Sequence, residues 1–129
     1  MTETVPPEVE ELLTGERVVA HLATCSDGHP HVAPLWYRYE DDEIEVLTTG
    51  KKLANLRENQ RVALSIEHDR NGIPEWMVTV RGTATVVDDE VETLEATRRI
   101  NRKYGVEEDA WPENVLVRIA VGSVAHRTY

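Results

Sequence analysis

The run Thr48-Thr49-Gly50-Lys51-Lys52-Leu53-Ala54-Asn55-Leu56-Arg57 sets two of the chain's three lysines side by side. The chain has 24 acidic against 14 basic residues and a formal charge of −10, so a local cationic knot is unusual in it. It sits where a strand pattern gives way to a helical one. Free backbone N–H groups at a helix start, a hydroxyl cap from Thr48 or Thr49 and a nearby ammonium together make an anion site, with phosphate the natural occupant. The alternative is a solvated first helical turn. The run is not a nucleotide-triphosphate loop: Glu45 stands where that motif needs glycine, and Lys52 where it needs Ser or Thr.

A second run, His31-Val32-Ala33-Pro34-Leu35-Trp36-Tyr37, carries a proline inside a strand-like pattern. Proline cannot donate to a ladder, so this strand is an edge or is bulged, and neighbouring backbone groups are free for a planar polar ligand. Trp36 and Tyr37 point to opposite faces. Trp36 either packs in a core or interface or touches that ligand. Cys25, His29 and His31 are close enough in sequence to suggest a metal, but they straddle a turn and lack a fourth ligand, so they read as a polar hairpin tip. No nucleophile elbow, HExxH or paired Ser/His or Cys/His signature is present. Such a chain suits chemistry done by a bound cofactor that the fold holds and orients.

These residues need a scaffold. A short helix is predicted from Pro6 to Leu13, ending at Gly15. Strands follow over Arg17–Thr24 and His31–Tyr39, joined at Ser26-Asp27-Gly28, then over Glu43–Thr48 after the turn Glu40-Asp41-Asp42. A helical period covers Gly50–Asn59. Strands resume at Arg61–Glu67 and, beyond Asp69-Arg70-Asn71-Gly72, at Glu75–Val87, where Gly82 marks a bulge or bend. Asp88–Tyr104 reads as a helix with an apolar stripe of Val91, Leu94, Thr97, Ile100 and Tyr104, closed by Gly105. A last hairpin is expected, with Val115–Val121 turning at Gly122-Ser123 into Val124–Thr128. Sequential hairpins of this kind predict an antiparallel, mostly β barrel with a few helices.

The length fits a single domain over residues 1–129. The acidic surface repels nucleic acid and anionic lipid, so neither is expected as a partner. Acids spread along the whole chain fit either a salt-adapted source or an ordinary acidic domain. One cysteine, Cys25, permits no internal disulfide. The start is neither basic nor apolar, and no run is of transmembrane length, so a cytoplasmic location is expected.

Taken in order, the Ser-Asp-Gly-His-Pro turn, Ala33-Pro34-Leu35-Trp36-Tyr37, the Lys51–Asn59 run, Arg61-Val62-Ala63-Leu64 and Val80-Arg81-Gly82-Thr83-Ala84 resemble the pyridoxamine 5′-phosphate oxidase-like, FMN/F420-binding split-barrel superfamily. The resemblance implies a flavin-reductase-like antiparallel split barrel of six to seven strands. It also implies a homodimer with cofactor sites at the interface and a small-molecule substrate. Lys52, with Lys51 beside it, would contact the cofactor phosphate. Val32, Ala33, Pro34, Leu35 and Trp36 would line the isoalloxazine through their backbone. Thr48 and Thr49 would support the ribityl chain or phosphate, Asn55 belongs to the same helix-start motif, and Trp76 matches an aromatic position near the cofactor or interface.

FMN is the expected cofactor, with F420 the alternative. Arg38, Arg57, Arg61 and Arg81 are candidates for the acidic F420 tail. The chain departs from the family in lacking an arginine-rich C-terminal segment that would grip a vitamin B6 phosphate, and in carrying Gly50 where the family has arginine. The readings that follow are a flavin- or deazaflavin-dependent oxidoreductase, a non-catalytic binder storing flavin, F420 or haem, and an empty structural barrel.

Overall fold

The computed structural model describes residues 4–129. Along the chain run α1 (Pro7–Gly15), β1 (Ala20–Ser26), β2 (His29–Leu35), β3 (Tyr37–Glu40), β4 (Glu43–Thr48), α2 (Gly50–Glu58), β5 (Arg61–Arg70), β6 (Ile73–Val87), α3 (Glu90–Lys103) and β7 (Val115–Thr128). The seven strands form one antiparallel sheet in the order β2-β1-β5-β6-β7-β4-β3. Three of its connections are two-residue hairpin turns. Asp27 and Gly28, Asp41 and Asp42, and Asn71 and Gly72 all have positive φ, as the tight turn matching strand twist requires.

Alternation then sorts the faces. Leu22, Leu64, Ile66, Val78 and Val80 point inward and join Val9 and Leu13 of α1 and Leu56 of α2 in one buried cluster. The sheet curls so that its two ends, β2 and β3, are consecutive in the chain, joined through Trp36. β3 pairs with β4, whereas β2 pairs only with β1 and merely touches β4. The barrel is therefore split, and the gap lies between β2 and the end of β4.

Several expectations change. His31–Tyr39 is not one strand: it breaks at Trp36, where the chain exchanges β1 for β4 as its partner. Gly122-Ser123 is not a hairpin turn. Gly122 lacks the positive φ such a turn needs and is the extra residue of a bulge, Arg81 pairing with Ser123 and Gly82 with Val121. β7 thus continues for 14 residues along β6. The expected stripe of α3 is also revised, because Val91 is 67% and Leu94 43% exposed. The face that packs comprises Ala96, Thr97, Ile100 and Asn101. Its two polar members are buried because each has a partner: Thr97 Oγ1 donates to Thr93 O at 2.7 Å and Asn101 Nδ2 to Glu108 O at 2.9 Å.

α3 is tied to the sheet by charge as well. Buried Glu45 accepts from Arg38 at 3.1 Å and Arg118 at 3.2 Å, with Arg99 at 3.3 Å. Burial opposes ionisation of Glu45. The guanidinium groups of Arg118, Arg99 and Arg38 outweigh it and hold the carboxyl below its ordinary range.

Candidate functional site

The free edge of β2 is the centre of the candidate site. Residues flanking a two-residue turn form a hydrogen-bonded pair, here Ser26 and His29, and bonding alternates from there. His31, Ala33 and Leu35 therefore bond to β1, while Pro30, Val32, Pro34 and Trp36 turn their backbone groups outward. Both prolines stand at outward positions, the ones that need no ladder donor. Between them, Val32 presents one N–H and one C=O, flanked by the carbonyls of Pro30 and Pro34. The Val32 side chain lies on the outer sheet face, 64% exposed.

Across the gap lies the end of β4. Tyr37 pairs with Val46, so continuing that register sets Leu47 beside Trp36 and Thr48 beside Leu35 where pairing has ceased. The next residues open α2. Neither threonine caps this helix: Thr49 makes no side-chain cap bond, and the buried Thr48 hydroxyl turns to Thr49 O at 3.4 Å. The expected hydroxyl cap is therefore absent; Thr49 is extended and Gly50 takes φ +67. The first-turn N–H groups thus have no side-chain cap, and this turn contains no acid. Lys51 is exposed and Lys52 half-buried.

Asn55 is 2% exposed, and its Nδ2 donates to Thr24 Oγ1 at 3.0 Å. Thr24 pairs with His31, so this bond docks α2 beside the start of β2. Lys52 lies one turn before Asn55 on the same helix face. His31 Nδ1 is buried there without a hydrogen-bond partner among the described residues. The structure thus places Val32–Trp36 along the strand with the free edge and at its end, Thr48 and Thr49 at the end of β4 across the gap, and Lys51, Lys52 and Asn55 on the helix that follows. Trp76 stands apart, in the core at 6% exposure and stacked on His68 at 6.4 Å. Among the described residues, no group of three His, Cys, Asp or Glu side chains could hold a metal ion.

The head of the gap is aromatic. Trp36 stacks on Tyr104 at 4.5 Å and meets Trp111 edge-on at 5.6 Å. A cavity of about 270 Å³ opens beside them, lined by Leu35, Trp36, Leu47, Ile100, Asn101, Trp111 and Asn114. Lys103 Nζ donates to Tyr37 O at 2.8 Å and lies 3.9 Å over the Tyr37 ring. Burial, then the Arg38 charge, lower its pKa to about 8. Sequence reasoning assigned no role to residues 106–114, which carry part of this cavity wall. The only local signal was a tryptophan before proline in a turn-rich stretch.

The sequence profile of the pyridoxamine 5′-phosphate oxidase family matches residues 6–128. The chain belongs to that family. Solved structures agree with the family's fold. A FAD-binding protein from Mesorhizobium loti superposes with a TM-score of 0.75 at 26% identity, covering 97% of this chain and 96% of that one. An F420 reductase superposes at 0.74 and 25% identity, covering 89% and 94%. The haem storage protein HutZ from Vibrio cholerae, at 0.76 and 20% identity with 95% and 92% covered, shares the fold. No curated protein sequence matches the chain. Among the described residues, no helix is long and apolar enough to cross a membrane.

Proposed function

We propose that this family member binds FMN in the split of its barrel and works in the cytoplasm as an oxidoreductase on a small molecule. The observation that carries the reading is the outward edge of β2, where one backbone donor and several acceptors face a gap whose other side begins an uncapped, lysine-bearing helix. The residues fit the group. The Val32 N–H suits a ring acceptor, the Val32 and Pro34 carbonyls suit a ring N–H, and Lys51, Lys52 and the α2 N–H groups suit a phosphate. When bound, the flavin supplies hydride transfer. The chain's own residues hold and orient the ring. The cavity beside Trp36 is lined by no titratable side chain, so no acid–base residue is assigned.

The second ring edge would be closed by another copy of the chain. The outer sheet face supports this: a groove of about 490 Å³ runs over small residues such as Ala23, Ala63, Ser65 and Ala125, next to Val32. F420 in place of FMN would direct its acidic tail past Pro30 to Arg61 and Arg81, which line one groove with it and form no ion pair among the described residues. Arg38 and Arg57, by contrast, are engaged with Glu45 and Asp88.

Fluorescence titration of the purified protein with FMN and, separately, F420 tests the reading. Saturable binding of one cofactor per chain is expected, and binding of neither overturns it. Replacing Lys51 and Lys52 with alanine should cost about 1–3 kcal/mol of cofactor affinity, the value of charge-assisted bonds to phosphate. Turnover with a reductant and a generic acceptor separates the enzyme from a storage protein.

A further inference from the structure

The aromatic cavity at the head of the split has features that cofactor retention does not require. Trp111 adopts φ +54, a left-handed conformation that is costly for a bulky side chain. Its indole gains little burial in return, remaining 49% exposed. The backbone on either side is nevertheless held in place. Asn101, 3% exposed, donates to Glu108 O at 2.9 Å and Ala110 O at 3.1 Å, and Asn114 N donates to Trp111 O at 3.3 Å. The opposite wall is equally fixed: Trp36 lies flat on Tyr104, whose hydroxyl donates to Val18 O at 2.6 Å. A strained, exposed tryptophan held at 82° to a second indole is a preorganised surface.

We propose that this cavity is the substrate-ring site, taking a planar, uncharged ring system of one or two fused rings, with Trp111 as its outer wall. The inference rests on the cofactor reading given above. The volume of about 270 Å³ lies at the small end of ligand pockets, which sets the ring count. A lining of apolar and aromatic groups with two amides, and no charged group, disfavours an ionised ligand. Leu35 ends β2 three residues beyond Val32 and Trp36 follows it, about 10 and about 13 Å away at roughly 3.3 Å per residue, so a ring here lies next to the proposed flavin.

Equilibrium dialysis of the whole protein against 2-naphthol, with naphthalene-2-sulfonate as the charged counterpart, tests the proposal. Saturable 2-naphthol binding is expected, with the sulfonate at least tenfold weaker. Trp111→Gly should weaken 2-naphthol binding at least tenfold without lowering the melting temperature, because glycine accepts the positive φ. Trp111→Phe, which keeps a flat wall, should stay within about threefold. FMN affinity should be equal in all three proteins, and saturating FMN should leave 2-naphthol bound. Wild-type binding in Trp111→Gly overturns the proposal, as does failure of the wild type or displacement by FMN, which would make the cavity the flavin's own slot. If FMN does not bind at all, the cofactor reading fails while the dialysis still decides whether the cavity takes a ring.

Discussion

Lys103 shows how a single residue couples the aromatic cluster to pH. Its ammonium is half-buried against Tyr37 and beside Arg38, and its pKa falls from 10.5 to about 8. Between those values the unfolded chain holds a proton that the folded chain has released, so rising pH favours the folded state through this group. The gain is at most about 1.4 kcal/mol per pH unit, reduced by partial exposure. Tyr37, whose phenol is raised by burial and then by the Tyr104 charge, works in the opposite direction only above its ordinary value of 10.0. Melting temperatures of the wild type and Lys103→Met at pH 7 and pH 9.5 should therefore shift relative to each other in favour of the wild type. A constant difference would place Lys103 in a more solvated position.

Among the elements, β6 and β7 depend on one residue without a side chain. A Cβ at Gly82 would stand 2.4 Å from Ala120 O and 2.9 Å from Ile119 Cγ2. The first of these is backbone in the neighbouring strand and cannot rotate away. Gly82→Ala should cost about 1–3 kcal/mol, the usual penalty of overpacking, read as a lower urea midpoint with an unchanged slope. The register of β6 against β7 shifts here, as a bulge that bends the strand requires. Gly82 was legible as a bulge position because a glycine inside an alternating strand signals close backbone approach. The matching extra residue in β7 is not legible in the same way, since a Gly-Ser pair looks alike in a turn and in a bulge until its partner strand is known.

For the whole molecule, the proposed second copy makes the sharpest demand. Solution mass should be twice the 14.6 kDa chain. Ala63 lies on the outer face of β5, central in the sheet and away from the core. Ala63→Arg should leave the far-UV circular dichroism unchanged, give a monomer in sedimentation, and weaken FMN binding. A dimer that survives this change would move the interface elsewhere.

The local features of the site were largely readable in the chain itself. Asp27-Gly28 and Asn71-Gly72 specify tight turns through their backbone preferences, Pro34 marks an edge, and the change of period after Thr49 marks the strand-to-helix junction that carries Lys51 and Lys52. Each of these follows from chemistry within a few residues. Other features follow from contacts between distant segments. Trp36 leaves one strand partner for another, Trp76 is taken into the core, and Asn101 holds a loop that sets Trp111 across from Trp36. Composition and periodicity do not encode those meetings. They arise when the sheet curls, its edges fail to close and α3 packs over the gap, because burial of one shared core decides which side chains are left to line a cavity.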